Sequence, residues 1–165
     1  MKRTWRTEMQ VTKNFSLREL TRSETARRAG VPNEPSPADM DNIYYTAQQL
    51  EKIREYVGRP IIVTSCFRSE RVNKLVGGSP TSAHRHGLAA DCDASGMTSP
   101  AFAKLLIKMR DESALKFDQL ILEFPERGDG AWVHIGFRRN SPQRNQILTA
   151  TKKNGKTVYL PGLHP

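Results

Sequence analysis

The stretch Ser82-Ala83-His84-Arg85-His86-Gly87-Leu88-Ala89-Ala90-Asp91 brings two imidazoles and a carboxylate within ten positions, around a glycine and a run of small residues. Imidazole nitrogen and carboxylate oxygen are the ligands zinc takes, and catalytic zinc sites commonly use three protein ligands and keep one position open. His84 reads as a loop residue and Asp91 as part of the strand that follows. A turn at Gly87 would let the two side chains converge. A third ligand has to come from elsewhere, and the chain has only four histidines, at 84, 86, 134 and 164. His164 stands at the C-terminal end and reads as solvated. His134, inside the apolar run Trp132-Val133-His134-Ile135-Gly136-Phe137, is the natural candidate. A lone strand histidine is more often a satisfied core residue than a ligand. His84 and His86 could equally be polar loop residues, so composition alone does not settle the site.

The elements that must position these residues can be read from the chain. Ser16 and Glu19 form a capping box, with Phe15 and Leu20 in the positions of a hydrophobic staple. The helix they open, with a break near Ser23, should stop at Gly30. VPNEPSP reads as a turn-rich connector. Ser36 then caps a second helix with Pro37 at its first position and Asp39 three residues on. Its apolar face is Met40, Ile43, Ala47, Leu50, Ile53 and Val57, and Gly58 ends it. Pro60 to Phe67 is an apolar, β-branched strand. RSERVNKLVGGSPTSAHRHG reads as a polar loop, and Leu88 to Asp93 as a short strand. A third helix begins at Ser99-Pro100 and runs to about Arg110. Phe117 to Phe124 and Ala131 to Phe137 read as two strands joined by Pro-Glu-Arg-Gly-Asp-Gly, and Lys156 to Leu160 as an edge strand. Helices first and strands later indicate an α+β domain, its helices packed on one face of a largely antiparallel sheet.

A chain of 165 residues fits one domain with a real core. No apolar run approaches the roughly 20 residues of a membrane span. The N-terminal MKRTWRTEMQVTKNF is basic but lacks the apolar stretch of a secretory signal, so synthesis in the cytoplasm is expected, with export depending on something else. Cys66 and Cys92 read as two buried free thiols rather than a bridge or a metal pair. Cys92 adjoins Asp91, but neighbours in a strand point to opposite faces, which argues against its being a ligand. The formal charge of +9 points to an anionic partner, and nucleic acid and an acidic bacterial wall both fit. The basic residues are dispersed, with a modest cluster at Arg138, Arg139, Arg144, Lys152, Lys153 and Lys156. No zinc-finger spacing and no RNA-binding sheet motif occurs, so a nucleic-acid partner is not favoured.

From Phe15 to about Phe137 the sequence resembles the zinc D-alanyl-D-alanine carboxypeptidase family, above all its small phage-type peptidoglycan peptidases. Its signature, Ser-x-His-x-x-Gly-x-Ala-x-Asp followed much later by a strand histidine, is matched in order by Ser82, His84, Gly87, Ala89, Asp91 and Trp132-Val133-His134. Upstream, Asn14 to Leu20, the Pro60-Ile61-Ile62-Val63 strand, Phe67-Arg68-Ser69 and Gly77-Gly78-Ser79 are similar too. The resemblance implies a hedgehog/DD-peptidase-like fold and one zinc ion held by His84, Asp91 and His134. It also implies substrate binding by Arg68 and Ser82, with His86 at the rim. Residues 15–140 would form the peptidase domain, with 1–14 an N-terminal extension and 141–165 a C-terminal extension packed on it.

The sequence departs from that family at one catalytic position. Many members carry an acid three residues before the last histidine, where this chain has Ala131. Glu123 is the replacement expected here: if it pairs across the hairpin with His134, both side chains share a sheet face. Asp129 and Glu126, in the polar turn, are the alternatives. The implied activity is hydrolysis of peptidoglycan stem peptides, as a D-Ala-D-Ala carboxypeptidase or an L-Ala-D-Glu endopeptidase, such as a phage endolysin uses. A monomer acting on the bacterial wall after release is expected. A catalytically silent zinc domain that binds wall peptides is the rival reading.

Overall fold

The computed structural model describes residues 9–165, so the expected extension over 1–14 lies partly outside the described residues. The chain forms two compact units, one of Met1–Glu51 with Val63–Ala90 and one of Lys52–Ile62 with Asp91–Pro165.

In the first unit, helix α1 (Leu17–Thr21) opens on the Ser16/Glu19 capping box, with both reciprocal bonds present. Ser23 caps α2 (Glu24–Ala29), and Gly30 closes it in the left-handed conformation. The break near Ser23 thus separates two short helices. Helix α3 (Pro37–Val57) begins where Ser36 and Asp39 bond reciprocally. Ile43, Ala47 and Leu50 on α3 are fully buried, as are Leu20 and Val72, with Phe15 and Phe67 nearly so. The presumed polar loop after Phe67 is partly helical: Ser69 caps α4 (Glu70–Leu75), with Glu70 in its first turn. That N-terminal signal was legible, but only two residues of the helix, Val72 and Asn73, are buried. A helix this short therefore has almost no apolar periodicity to reveal it.

In the second unit, α5 (Ser99–Asp111) starts at Thr98 with Pro100 in its first turn and packs against β3 (Gln119–Glu123) and β4 (Trp132–Gly136). One face of these two strands carries Leu120, Leu122, Val133 and Ile135, all fully buried. The other carries Gln119, Ile121, Glu123, Trp132 and His134 and is partly open.

Among the described residues, β1 (Ile61–Ser65), β2 (Ala89–Ala94), β3, β4, β5 (Gln146–Lys153) and β6 (Lys156–Pro161) form one sheet in the order β1-β2-β4-β3-β5-β6. Strand β3 pairs antiparallel with β4 and parallel with β5, and β5 pairs antiparallel with β6. The sheet is mostly antiparallel and the fold α+β. Strand β6 is the expected edge strand, whereas β5 is an addition. Asn154 and Gly155 join the two, both at positive φ, the conformation that a two-residue hairpin turn demands. The basic character of Arg144, Lys152, Lys153 and Lys156 masked that hairpin signal. Arg144 serves the structure: with Arg138 it bonds Asp118, which is only 6% exposed just before β3.

Candidate metal centre

His84 lies in a single 3₁₀ turn, Ala83–His86, whose N-terminal cap is Ser82. The Ser82 hydroxyl oxygen accepts the His84 backbone N–H at 3.3 Å. Gly87 ends the turn at φ 71°, and only glycine fits there on two counts. The left-handed conformation disfavours a side chain, and a Cβ would stand 2.6 Å from Ile43 Cγ1 and 3.3 Å from the Asp39 carbonyl oxygen. The buried Thr46 hydroxyl donates to the Gly87 carbonyl at 2.7 Å, pinning the turn to α3.

The His84 ring is 2% exposed, and its Nδ1 lies 2.6 Å from the Cys66 carbonyl oxygen. A carbonyl only accepts, so Nδ1 is the donor here, and in the neutral ring Nε2 then carries the lone pair. This backbone bond to the far nitrogen is the usual way a ligand imidazole has its tautomer and orientation set. The Arg68 backbone N–H donates to the His84 carbonyl at 2.9 Å, and its Nε donates to the Ser65 hydroxyl at 3.2 Å. The chain after β1 therefore ties the predicted carboxylate-binding arginine to the histidine turn.

Asp91, 8% exposed, lies in β2 with Asp93 two residues on, while Cys92 between them is fully buried. Burial raises the Asp93 carboxyl above its ordinary range, and the neighbouring Asp91 charge adds to that. The Ser99 hydroxyl, donating at 2.6 Å, opposes both. His134 is central in β4, its side chain 12% exposed, with Nδ1 3.1 Å from Asp91 Oδ1. His84, Asp91 and His134 each offer one ligand atom, and all three atoms lie within 4.8 Å of one another.

The donor set fits a zinc ion. Two atoms bonded to one zinc at about 2.0–2.1 Å and a tetrahedral angle stand about 3.3 Å apart. The 3.1 Å between His134 Nδ1 and Asp91 Oδ1 is near that separation, and it is also a hydrogen-bond length when Nδ1 carries a proton. Two nitrogens and one carboxylate oxygen, mostly buried, make a half-closed set of the catalytic rather than the structural type.

Glu123 does not pair with His134. The register sets Glu123 opposite Trp132 and Ile121 opposite His134. Strand side chains alternate with period two, so Glu123 still projects from the His134 face, two residues along the strand from the expected position. The following Phe124 takes a left-handed conformation at φ 53°. Its ring packs against Trp132 at 5.5 Å and under the Arg127 guanidinium at 4.1 Å. Those contacts hold the exit from β3 and so the end that bears Glu123. Ala131, where the family acid would stand, is buried.

Of the alternative acids, Asp129 and Glu126 are exposed in the connecting turn. The Glu126 carboxyl is held below its usual range by its own backbone N–H and that of Lys152. His86 is exposed, with Nδ1 4.0 Å from an Asp39 oxygen, and lies outside the metal group. His164 is exposed but not loose: its N–H donates to the Thr149 hydroxyl at 2.9 Å. Tyr159 on β6 was not foreseen. Partial burial and the Glu123 carboxylate raise its phenol above the ordinary value. Its alternation along β6 was readable, but its neighbour was not, because β5 and the β5–β6 register were missing.

The family described as Peptidase M15 matches residues 13–123. The chain belongs to the peptidase M15 family, that of the zinc D-alanyl-D-alanine carboxypeptidases it resembles. The match includes Arg68, Ser82, His84, Asp91 and Glu123 and ends before His134. No curated protein matches the chain. Among the described residues, no helix is long and apolar enough to cross a membrane.

Proposed function

We propose that this protein is a zinc peptidase that hydrolyses stem peptides of bacterial peptidoglycan, with His84, Asp91 and His134 as the zinc ligands. The observation that carries the reading is the convergence of those three ligand atoms within 4.8 Å. Membership of the M15 family supports the peptidase class.

Bound there, zinc would supply Lewis acidity toward the scissile carbonyl and lower the pKa of a water. The chain's own residues do the rest. Glu123 accepts a proton as the water oxygen bonds to the carbonyl carbon. It then delivers that proton to the leaving nitrogen as the carbon–nitrogen bond breaks. Arg68, permanently charged and able to form a two-pronged pair, anchors a substrate carboxylate. Stem peptides offer such groups at a terminal D-alanine and along D-glutamate. Ser82 holds the His84 turn, and its hydroxyl can also meet the peptide. Either a carboxypeptidase or an endopeptidase fits these residues, as does use as a phage endolysin.

Ala131 in place of the usual acid favours a second reading, a zinc domain that binds wall peptides without cleaving them. One experiment separates the two. Metal analysis of the purified protein should find one zinc per chain, and His134→Ala should lose it. The loaded wild type should hydrolyse stem peptides and a chelated sample should not. Zinc binding without hydrolysis would favour the silent domain. Absence of zinc binding would refute both.

A further inference from the structure

Strand β3 lies between β4 and β5, and the registers on its two sides set Trp132, Glu123, Ala150 and Tyr159 in one row across the sheet. Residues directly opposite one another share a face, so this row projects on the side that bears His134. The adjacent row on that face is His134, Ile121, Leu148 and Pro161. The row is tall at its ends and low at one point. Ala150, fully buried, offers only a methyl group between Glu123 and Tyr159.

Two strand spacings put the Tyr159 backbone roughly 10 Å from that of Glu123, a gap that a tyrosine ring leaning over a methyl can largely span. The raised phenol of Tyr159, partly buried and facing the Glu123 charge, is consistent with that approach. Tyr159 is nevertheless 54% exposed, on a strand at the edge of the sheet. Edge strands are usually guarded by charge, as Lys156 guards the start of this one. Tyr159 is thus a large exposed ring on the same sheet face as a candidate catalytic carboxylate, open to contact by a bound peptide.

We propose that Tyr159 is a substrate-binding residue for the leaving half of the peptide, its ring lying against the segment that departs with the new amino terminus. The inference rests on the reading of Glu123 as the group that protonates the leaving nitrogen. From His134 on β4 the face runs through Glu123 on β3 to Tyr159 on β6. The nitrogen must meet Glu123, and the chain beyond it continues on the side of Glu123 away from His134, where Tyr159 stands. Specificity for the leaving half then comes from the β5–β6 hairpin, which lies outside the family-matched segment of residues 13–123.

The test uses the full-length, zinc-loaded protein and stem peptides that share one acyl half. Their leaving half is either a single residue or at least three. The readout is the ratio of kcat/KM for the long leaving half to that for the short one. Tyr159→Ala should lower the ratio about tenfold, mainly through KM on the long substrate, and Tyr159→Phe should retain most of it. Circular dichroism and zinc content report whether each variant is folded and loaded. A folded, loaded Tyr159→Ala protein with the wild-type ratio would overturn the assignment of Tyr159 and leave the peptidase reading intact. A wild type that cleaves neither peptide would refute the peptidase reading, and the role of Tyr159 with it.

Discussion

At the scale of single residues, the candidate metal site depends on groups that would fix the proposed ligands as much as on those ligands themselves. The Cys66 carbonyl sets the His84 tautomer, and Gly87 allows the chain to turn between His84 and β2 against Ile43. Gly87→Ala combines a left-handed alanine with a methyl forced onto Ile43. It should cost about 2–4 kcal/mol in urea unfolding and weaken zinc affinity in a competition titration. Glu123→Gln keeps size and face but cannot take a proton. It should bind zinc as the wild type does and lose about 10²–10⁴ in kcat. Wild-type turnover by the loaded variant would remove Glu123 from the mechanism. His84 and Asp91 were legible because one short motif carries both. His134 was legible from its apolar strand and the family pattern, although the family match stops at residue 123. The Cys66 carbonyl was not legible, since a backbone acceptor has no sequence signature.

At the scale of elements, caps and periodicity foretold much of the architecture. Ser16 with Glu19, Ser36 with Asp39, Gly30 and Pro100 act where their chemistry requires. The errors have physical causes. Helix α4 is too short and too exposed for a periodic apolar face. Strand β5 reads as basic tail, and its parallel pairing with β3 is a long-range choice that local pattern does not encode. The hairpin register shifted by two residues, which moves Glu123 along the strand but leaves it on the same face. The β3 end also depends on Asp118. Burial alone would raise this carboxyl, but the hydrogen bonds and charge of Arg144, with Arg138, outweigh it and hold the carboxyl below its ordinary value. A carboxyl lowered by folding stabilises the protein above its unfolded pKa, about 3.9, and loses that contribution as pH falls through its folded value. Asp118→Asn should therefore cost about 1–2 kcal/mol at pH 7, discounted because Arg144 is half exposed. The gap from wild type should narrow in thermal melts below about pH 4. A gap independent of pH would mean that the ion pair is not what Asp118 contributes.

At the scale of the whole molecule, the formal charge of +9 suits the proposed action on an anionic wall. Binding to purified walls should weaken steeply as salt rises from 50 to 500 mM, because the contacts are surface charges. Salt-independent binding would assign adhesion to specific contacts instead. The same charge fits nucleic acid, but that partner leaves the buried trio of His84, Asp91 and His134 without a purpose. The most direct test of the central claim is mass spectrometry of purified muropeptides digested with the zinc-loaded protein, run in parallel with a chelated sample. If the claim holds, two fragments are expected whose summed mass exceeds that of the parent by one water. They should identify a single cleaved peptide bond, and they should be absent from the chelated digest. Intact muropeptides after incubation with protein holding one zinc per chain would contradict it.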